Sequence, residues 1–367
     1  MSTFFTIAVI ALVFLIIFQI AKASEYVAVL KGEEKSRKEN NKVNGFFMIA
    51  FLIVGLIGVY WCNSMFIGKT LFAHDSASVQ GEKVDSMLKL TILITGIVFV
   101  ITQIALFWFA YRFQEKENAK PFFFPHNNTM EIIWTVIPAI ALTFLVVIGL
   151  RNWFSFTSEA PANAIQVEVT GQQFSWLFRY PGKDKTFGKK YYKFIDGTNS
   201  LGLLWKDSAG LNLKDDPAAH DDIVMTQTMY CVKGRPCKLI IGSKDVIHDV
   251  GLSAFRLKMD AVPGTPTTLW FTPKYTTKEM KEIMGNPDYD YEISCDQMCG
   301  NGHFGMRGVI KVVSQPEYDA WLAGQTSAYS VALPAPAAPT TVPVAADTTK
   351  KMALVTGKLV KGALAKQ

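Results

Sequence analysis

The sequence predicts a membrane-anchored chain: an α-helical transmembrane bundle of four spans, followed by an all-β domain folded as a sandwich or Greek-key barrel. Four apolar stretches, residues 4–21, 46–66, 88–111 and 132–150, are each long enough to cross a hydrocarbon layer of about 30 Å as a helix. From residue 165 the long apolar runs give way to short alternating segments bounded by turn residues, the signature of a sandwich or barrel. Half of the 367 residues are hydrophobic, which is too apolar for an ordinary soluble protein.

The first span has no basic segment before it and no small-residue cleavage site after it, so it reads as a retained helix and not as a signal peptide. The loop 22–45 carries Lys22, Lys31, Lys35, Arg37, Lys38 and Lys42, whereas the loop 69–85 carries only Lys69 and Lys83. The positive-inside rule puts the first of these in the cytoplasm. Both termini and everything after residue 150 then lie outside, and the loop 112–130, with Arg112, Lys116 and Lys120, lies inside. The β domain is therefore expected on the outer side of the membrane. The expected division is 1–68 for an N-terminal two-span extension, 69–154 for a transmembrane hairpin, 155–325 for the β domain with insertions, and 326–367 for an Ala/Pro-rich linker and basic tail.

Thr129 is expected to cap the last span, with Glu131 in the first turn, where a carboxylate favours the positive end of the helix dipole. Trp108, Trp134 and Trp153 read as interfacial anchors or helix-packing residues. In the β domain, residues 165–170, 238–243, 267–272, 289–294 and 307–313 read as strands, two of them leading to His248 and Cys295. The pattern Thr276-Thr277-Lys278-Glu279 opens a short helix, and Ser314-Gln315-Pro316-Glu317 is a capping box that starts a closing helix over 317–322. Residues 181–230 exceed what a hairpin needs and read equally as surface decoration and as a lid or partner surface. The tail is an extended linker followed by a basic amphipathic helix.

The net charge of +6 resides mainly in the basic loop and tail, and no nucleic-acid motif accompanies it. Of the five cysteines, Cys62 lies in an apolar span. Cys231 and Cys237 flank a turn-like Val-Lys-Gly-Arg-Pro, which is compatible with a disulfide in an exported domain and equally with two buried thiols.

The chemistry gathers in residues 295–306, where Cys295, Cys299, His303 and Met306 lie close in sequence and glycines let the backbone turn. Cys299, His303 and Met306 form the short loop that suits copper electron transfer, since thiolate, imidazole and thioether are copper donors. Cys295 adds a second thiolate, and two thiolates can bridge two copper ions if a further imidazole, best supplied by His248, completes the set. A disulfide between the two cysteines, or a closed zinc site, are the competing readings. Zinc leaves Met306 without a role, and a disulfide leaves His303 without one.

These residues, with Asp245-Val246-Ile247-His248, residues 257–264 and Glu131-Ile132-Ile133-Trp134-Thr135, resemble subunit II of the haem-copper cytochrome c oxidases over about 86–325. The resemblance implies a cupredoxin-like form of the barrel and a binuclear copper centre, CuA. His248 and His303 would be its imidazole ligands, Cys295 and Cys299 its bridges, Met306 a weak axial ligand and Gln297 a backbone-carbonyl ligand. Relatives with Glu at the position of Gln297 use that side chain for magnesium, so a magnesium site is open here. Electrons would come from a c-type cytochrome, held by the complex or diffusing, and pass to haem in subunit I, which carries CuB and reduces oxygen to water. Subunit III is a further partner. Electron entry is implied at Phe174 and Trp176, where relatives usually have two tryptophans, and proton entry at Glu131. The chain has no Cys-x-x-Cys-His, so no covalently bound haem is expected. A copper-free quinol oxidase subunit and a CuA-containing nitrous oxide reductase are the rivals. The intact donor set opposes the first, and the spans with the Glu131 motif oppose the second.

Overall fold

The computed structural model describes residues 2–70, 73–116, 120 and 122–333. Four long helices come first: α1 (Ser2–Lys31), α2 (Glu33–Phe66), α3 (Val79–Arg112) and α4 (Asn128–Thr157). Each contains a stretch long and apolar enough to cross a membrane. The segment expected as the loop 22–45 is helical apart from Gly32, which breaks α1 from α2 at a φ of +84° that glycine adopts without cost. At about 1.5 Å per residue α2 outruns the hydrocarbon layer, so its charged first turns extend the helix beyond it. The helix α4 is capped by Asn127 and not by Thr129: the Asn127 side chain accepts from the Met130 N–H at 3.0 Å, and the helix begins two residues earlier than expected. Glu131 remains in the first turn and is exposed.

Ten strands follow: β1 (Ile165–Gln172), β2 (Ser175–Tyr180), β3 (Ile223–Thr226), β4 (Thr228–Val232), β5 (Cys237–Ser243), β6 (His248–Leu252), β7 (Leu257–Ala261), β8 (Thr267–Phe271), β9 (Tyr291–Cys295) and β10 (Arg307–Val313). They form two five-stranded sheets, in the orders β3-β2-β1-β5-β8 and β4-β10-β9-β6-β7. Pairing is mixed, with β1 and β5 parallel in one sheet and β4 and β10 parallel in the other. The two sheets make the β domain a sandwich, one of the two forms that the alternating segments predict. Inward residues of both sheets close the core, among them Trp176, Phe178, Leu239, Ile241, Leu252, Phe271 and Tyr291, joined by Phe255 from the 3-10 turn after β6, each under 2% exposed. Burial of such side chains contributes roughly 1.5–3 kcal/mol each.

His248 opens β6, whereas the sequence places it after a strand, and Cys295 closes β9. Two short helices close the domain: α5 (Thr277–Met284) and α6 (Gln315–Ala323), both with the expected capping boxes. The last eight residues of the supposed insertion 181–230 include β3 and most of β4, so the added segment is 181–222. It packs on the outer face of the first sheet, where Arg179 of β2 pairs with buried Glu168 and Asp222. A further helix, α7 (Ala328–Ala332), stands where the sequence predicts extended linker, and its Tyr329 stacks on His220 of that segment at 4.2 Å. The remaining linker and the basic tail, 334–367, lie outside the described residues.

The β domain is tied to the helices by backbone. Ala77 N–H donates to Ala254 O, Val79 N–H to Thr272 O, and Lys274 N–H to Ala77 O. Asp85 of α3 also accepts from Arg256 Nε at 2.9 Å.

Candidate metal centre

The strands β6 and β9 pair antiparallel, with Val250 opposite Cys295, and this register brings His248 beside the end of β9. The connection from β9 to β10 is the loop 296–306, closed at its base by the Cys295 N–H donating to Met306 O at 3.1 Å. Three separate chain positions, the start of β6, the end of β9 and the loop before β10, therefore present donors to one point at the end of the sandwich.

Cys295 Sγ lies 3.7 Å from His248 Nδ1 and 3.7 Å from Cys299 Sγ. Cys299 Sγ lies 3.7 Å from His303 Nδ1 and 3.9 Å from Met306 Sδ. The Gln297 carbonyl oxygen is 3.2 Å from Cys295 Sγ, while the Gln297 side chain is exposed. His248 and Met306 are fully buried, both cysteines are buried, and His303 is half-buried. Donor atoms of His248, Cys295 and Cys299 all lie within 4.8 Å of one another. Each sulfur thus faces one imidazole nitrogen, and the sulfurs face each other.

The surroundings orient these donors. The far ring nitrogen of His248, Nε2, lies 2.7 Å from Asp245 Oδ1, which leaves Nδ1 turned to Cys295 with its lone pair free for a metal. Burial pushes the Asp245 carboxyl up, but the hydrogen bonds it accepts from Gln173 N–H, His248 and Val246 N–H outweigh this and hold it below the usual range. Gln173 links the two halves: its backbone N–H donates to Asp245 at 2.7 Å and its side-chain amide donates to Cys299 O at 2.6 Å. Burial, then the neighbouring Cys295, push the Cys299 thiol up to about 11, so the sulfur stays protonated until something displaces the proton.

Glycines set the clearances. A Cβ on Gly171 would come within 2.8 Å of the His248 ring and 3.2 Å of Trp176, and one on Gly302 within 2.5 Å of the Phe174 ring. Phe174 therefore packs against the metal loop and is 37% exposed, whereas Trp176 is wholly buried behind His248, ring centroids 6.1 Å apart. Glu131 stands apart, at the far end of α4 from the β domain. Asp245 and Gln173 are not legible in the sequence as site residues: the carboxylate three residues before the candidate ligand His248 is the one signal for Asp245, and Gln173 has none.

A family model described as cytochrome c oxidase subunit II, transmembrane domain, matches residues 67–151. The "Alternative cytochrome c oxidase subunit 2" of Bradyrhizobium diazoefficiens is 32% identical over 243 residues, 66% of this chain and 80% of that protein. The chain belongs to the cytochrome c oxidase subunit II family. A "Cytochrome c oxidase subunit 2" from Cereibacter sphaeroides is 29% identical, covering 66% of this chain and 77% of the relative. Among solved structures, the periplasmic domain of subunit II of cytochrome oxidase (CoxB) of Bradyrhizobium japonicum aligns at 22% identity and a TM-score of 0.29, covering 45% of this chain and 95% of that one. As a family member with four long apolar helices, this subunit II is a multi-pass membrane protein and one component of an oxidoreductase complex with other oxidase subunits.

Proposed function

We propose that this subunit II is the electron-accepting subunit of its oxidase, with His248, Cys295, Cys299, His303, Met306 and the Gln297 carbonyl holding a binuclear copper centre. The observation that carries the reading is the pairing of donors, one imidazole nitrogen 3.7 Å from each sulfur and the two sulfurs 3.7 Å apart. Six donors exceed the four that a tetrahedral zinc site takes, and a thioether is a donor that copper uses. When bound, the copper pair supplies a one-electron carrier whose charge is shared between two metals.

The protein's part is positioning. The β6 and β9 ends keep His248 and Cys295 in register, and Gln173 and Asp245 fix the loop and the ring. Phe174, exposed over the loop, is the proposed point of electron entry from a c-type cytochrome, and Trp176 packs His248 from the core side. Electrons leave toward haem in subunit I, where oxygen is reduced to water with proton translocation, and subunit III completes the core complex. Glu131 collects protons at the cytoplasmic start of α4. Gln297 offers no carboxylate, so magnesium at that position would depend on other groups. The basic charge of residues 22–45 supports an orientation with the copper domain and both termini on the periplasmic side of a bacterial inner membrane, over the proposed division 1–68, 69–154, 155–325 and 326–367.

Electron paramagnetic resonance of the copper-loaded, oxidised full-length subunit tests the reading. One unpaired electron coupled to two copper nuclei is expected, lost in Cys299→Ser, and Met306→Leu should keep copper while shifting its potential. A single-copper signal, or stoichiometric zinc after copper loading, would sink the assignment.

A further inference from the structure

Two of the five cysteines serve the metal loop and Cys62 is exposed on α2, which leaves Cys231 and Cys237 without a part in the proposed electron path. Cys231 lies on β4 in the second sheet and Cys237 opens β5 in the first, so the turn between them is a crossover from one sheet to the other. Both side chains are fully buried, and their sulfurs, unbonded in this structure, lie 3.2 Å apart.

We propose that Cys231 and Cys237 are joined by a disulfide in the mature protein, a covalent staple between the two sheets. The inference rests on the proposed placement of the β domain on the outer, oxidising side of the membrane. Geometry separates this pair from the metal-loop pair. A metal held tetrahedrally by two thiolates at about 2.3 Å needs sulfurs about 3.8 Å apart. Cys295 and Cys299 meet that spacing at 3.7 Å, whereas Cys231 and Cys237 are closer, at 3.2 Å. A disulfide of about 2.05 Å lies roughly 1.2 Å of sulfur movement away. Donor chemistry agrees. Among the described residues the metal-competent group of His, Cys, Asp and Glu is His248, Cys295 and Cys299, and the second pair faces Tyr180 and Tyr318 instead.

The backbone holds both residues in place for the bond. Cys231 pairs with Val312 of β10, and Cys237 is flanked by Ile165 of β1 and Phe271 of β8. The turn is pinned by Lys233 N–H donating to Val313 O and Gly234 N–H to Pro273 O, with Gly234 at a φ of +74°. Proton sharing with Cys237, then burial, push the Cys231 thiol well above its usual range, so the attacking thiolate is scarce once the sandwich has closed.

Oxidation therefore precedes closure. One thiol, still exposed, loses its proton and attacks the disulfide of a thiol oxidant, bonding to one oxidant sulfur while the other leaves as thiolate. The second cysteine, deprotonated in turn, attacks the mixed disulfide, forming the Cys231–Cys237 bond and releasing the oxidant as a dithiol. Two electrons and two protons have passed to the oxidant. The bond removes two thiols that could otherwise exchange with Cys295 and Cys299, whose sulfurs must be free to take metal. The two pairs sit at opposite ends of β10, which runs from Arg307 beside the metal loop to Val313 beside the Cys231 turn.

The test uses the full-length chain in its purified complex, unfolded with chelator and an alkylating reagent before any reductant is added. Cleavage after Lys233 then separates Cys231 from Cys237. The expected result is two unalkylated peptides joined until reduced, with Cys295 and Cys299 alkylated from the start. Alkylation of both Cys231 and Cys237 before reduction would overturn the proposal. Thermal unfolding gives an independent arm: reductant should lower the midpoint of the wild type and leave a C231A/C237A variant unmoved, and an unmoved wild type counts against the staple. A normal binuclear copper signal with both residues alkylated sinks this inference alone. A joined pair in a chain that binds no copper sinks the functional reading alone.

Discussion

At Phe174 the metal loop has no spare volume. The ring lies over Gly300 and Gly302, and at Gly302, whose φ of −93° suits any residue, the three nearest atoms that a Cβ would meet all belong to that ring. Gly302→Ala should therefore cost about 1–3 kcal/mol through overpacking. The expected outcome is a lower thermal midpoint and weaker copper retention, measured by unfolding and metal analysis. Adding Phe174→Ala should recover most of both, because it removes the atoms the new Cβ meets. Failure of the second change to rescue the first would mean that the loop needs Gly302 for another reason. The proposed side-chain ligands are legible in the sequence because four of the five, Cys295, Cys299, His303 and Met306, fall within residues 295–306, and their spacing alone announces a loop. Gln173 was not, because its bond to Cys299 spans 126 residues and leaves no local trace.

At the scale of elements, the strands that could be read are those with sustained apolar alternation, now β1, β5, β8, β9 and β10, each within a few residues of its expected bounds. The missed ones carry contrary signals. The strand β2 contains Arg179, whose charge reads as surface until its partners Glu168 and Asp222 are known. The strands β6 and β7 contain His248, Asp249, Lys258 and Asp260 in five-residue runs too polar to stand out. The same buried charges yield a prediction. Burial pushes the Asp222 carboxyl up to about 6 despite the hydrogen bonds it accepts from Arg179 and Gly188. The folded domain then holds this proton more tightly than the unfolded chain. Below about pH 4 both states are protonated, and above about pH 6 both are ionised, so stability falls across that window as pH rises, by at most about 3 kcal/mol. Denaturant midpoints measured through the window should show this component in the wild type and lose it in D222N. Equal slopes in the two would mean that Arg179 holds Asp222 ionised throughout.

The helix α4 joins element to assembly. With Asn127 as its cap, Glu131 is free of capping duty, and replacing it by Gln removes only a dipole interaction worth about 0.3–1 kcal/mol. In the assembled oxidase, Glu131→Gln should lower turnover while reduction of copper by the donor stays fast. Full turnover in that variant would end the proton-entry role.

For the whole molecule, the proposed electron transfer requires a donor to reach the metal loop. The rim of the metal loop carries large apolar groups, Met298 at 76% exposed and Phe304 at 83%, with Val246, Ile247 and Phe174 partly exposed nearby, beside the exposed polar Asp296, Gln297 and Asn301. Apolar contacts act at short range, whereas steering by charge acts over distance and is screened beyond about 8 Å at physiological ionic strength. A donor captured by this rim gains little from steering, which fits a cytochrome held within the complex, with the segment 181–222 and α7 as candidate holding surfaces. Phe174 also lacks the indole N–H that a tryptophan would offer an approaching partner. Copper reduction by the copurified cytochrome, followed by stopped flow across a salt series, should therefore be nearly independent of salt, and Phe174→Trp should change the rate little. A rate that drops steeply with salt, or rises strongly on introducing tryptophan, would instead identify a diffusing donor that finds the loop by charge and an exposed ring.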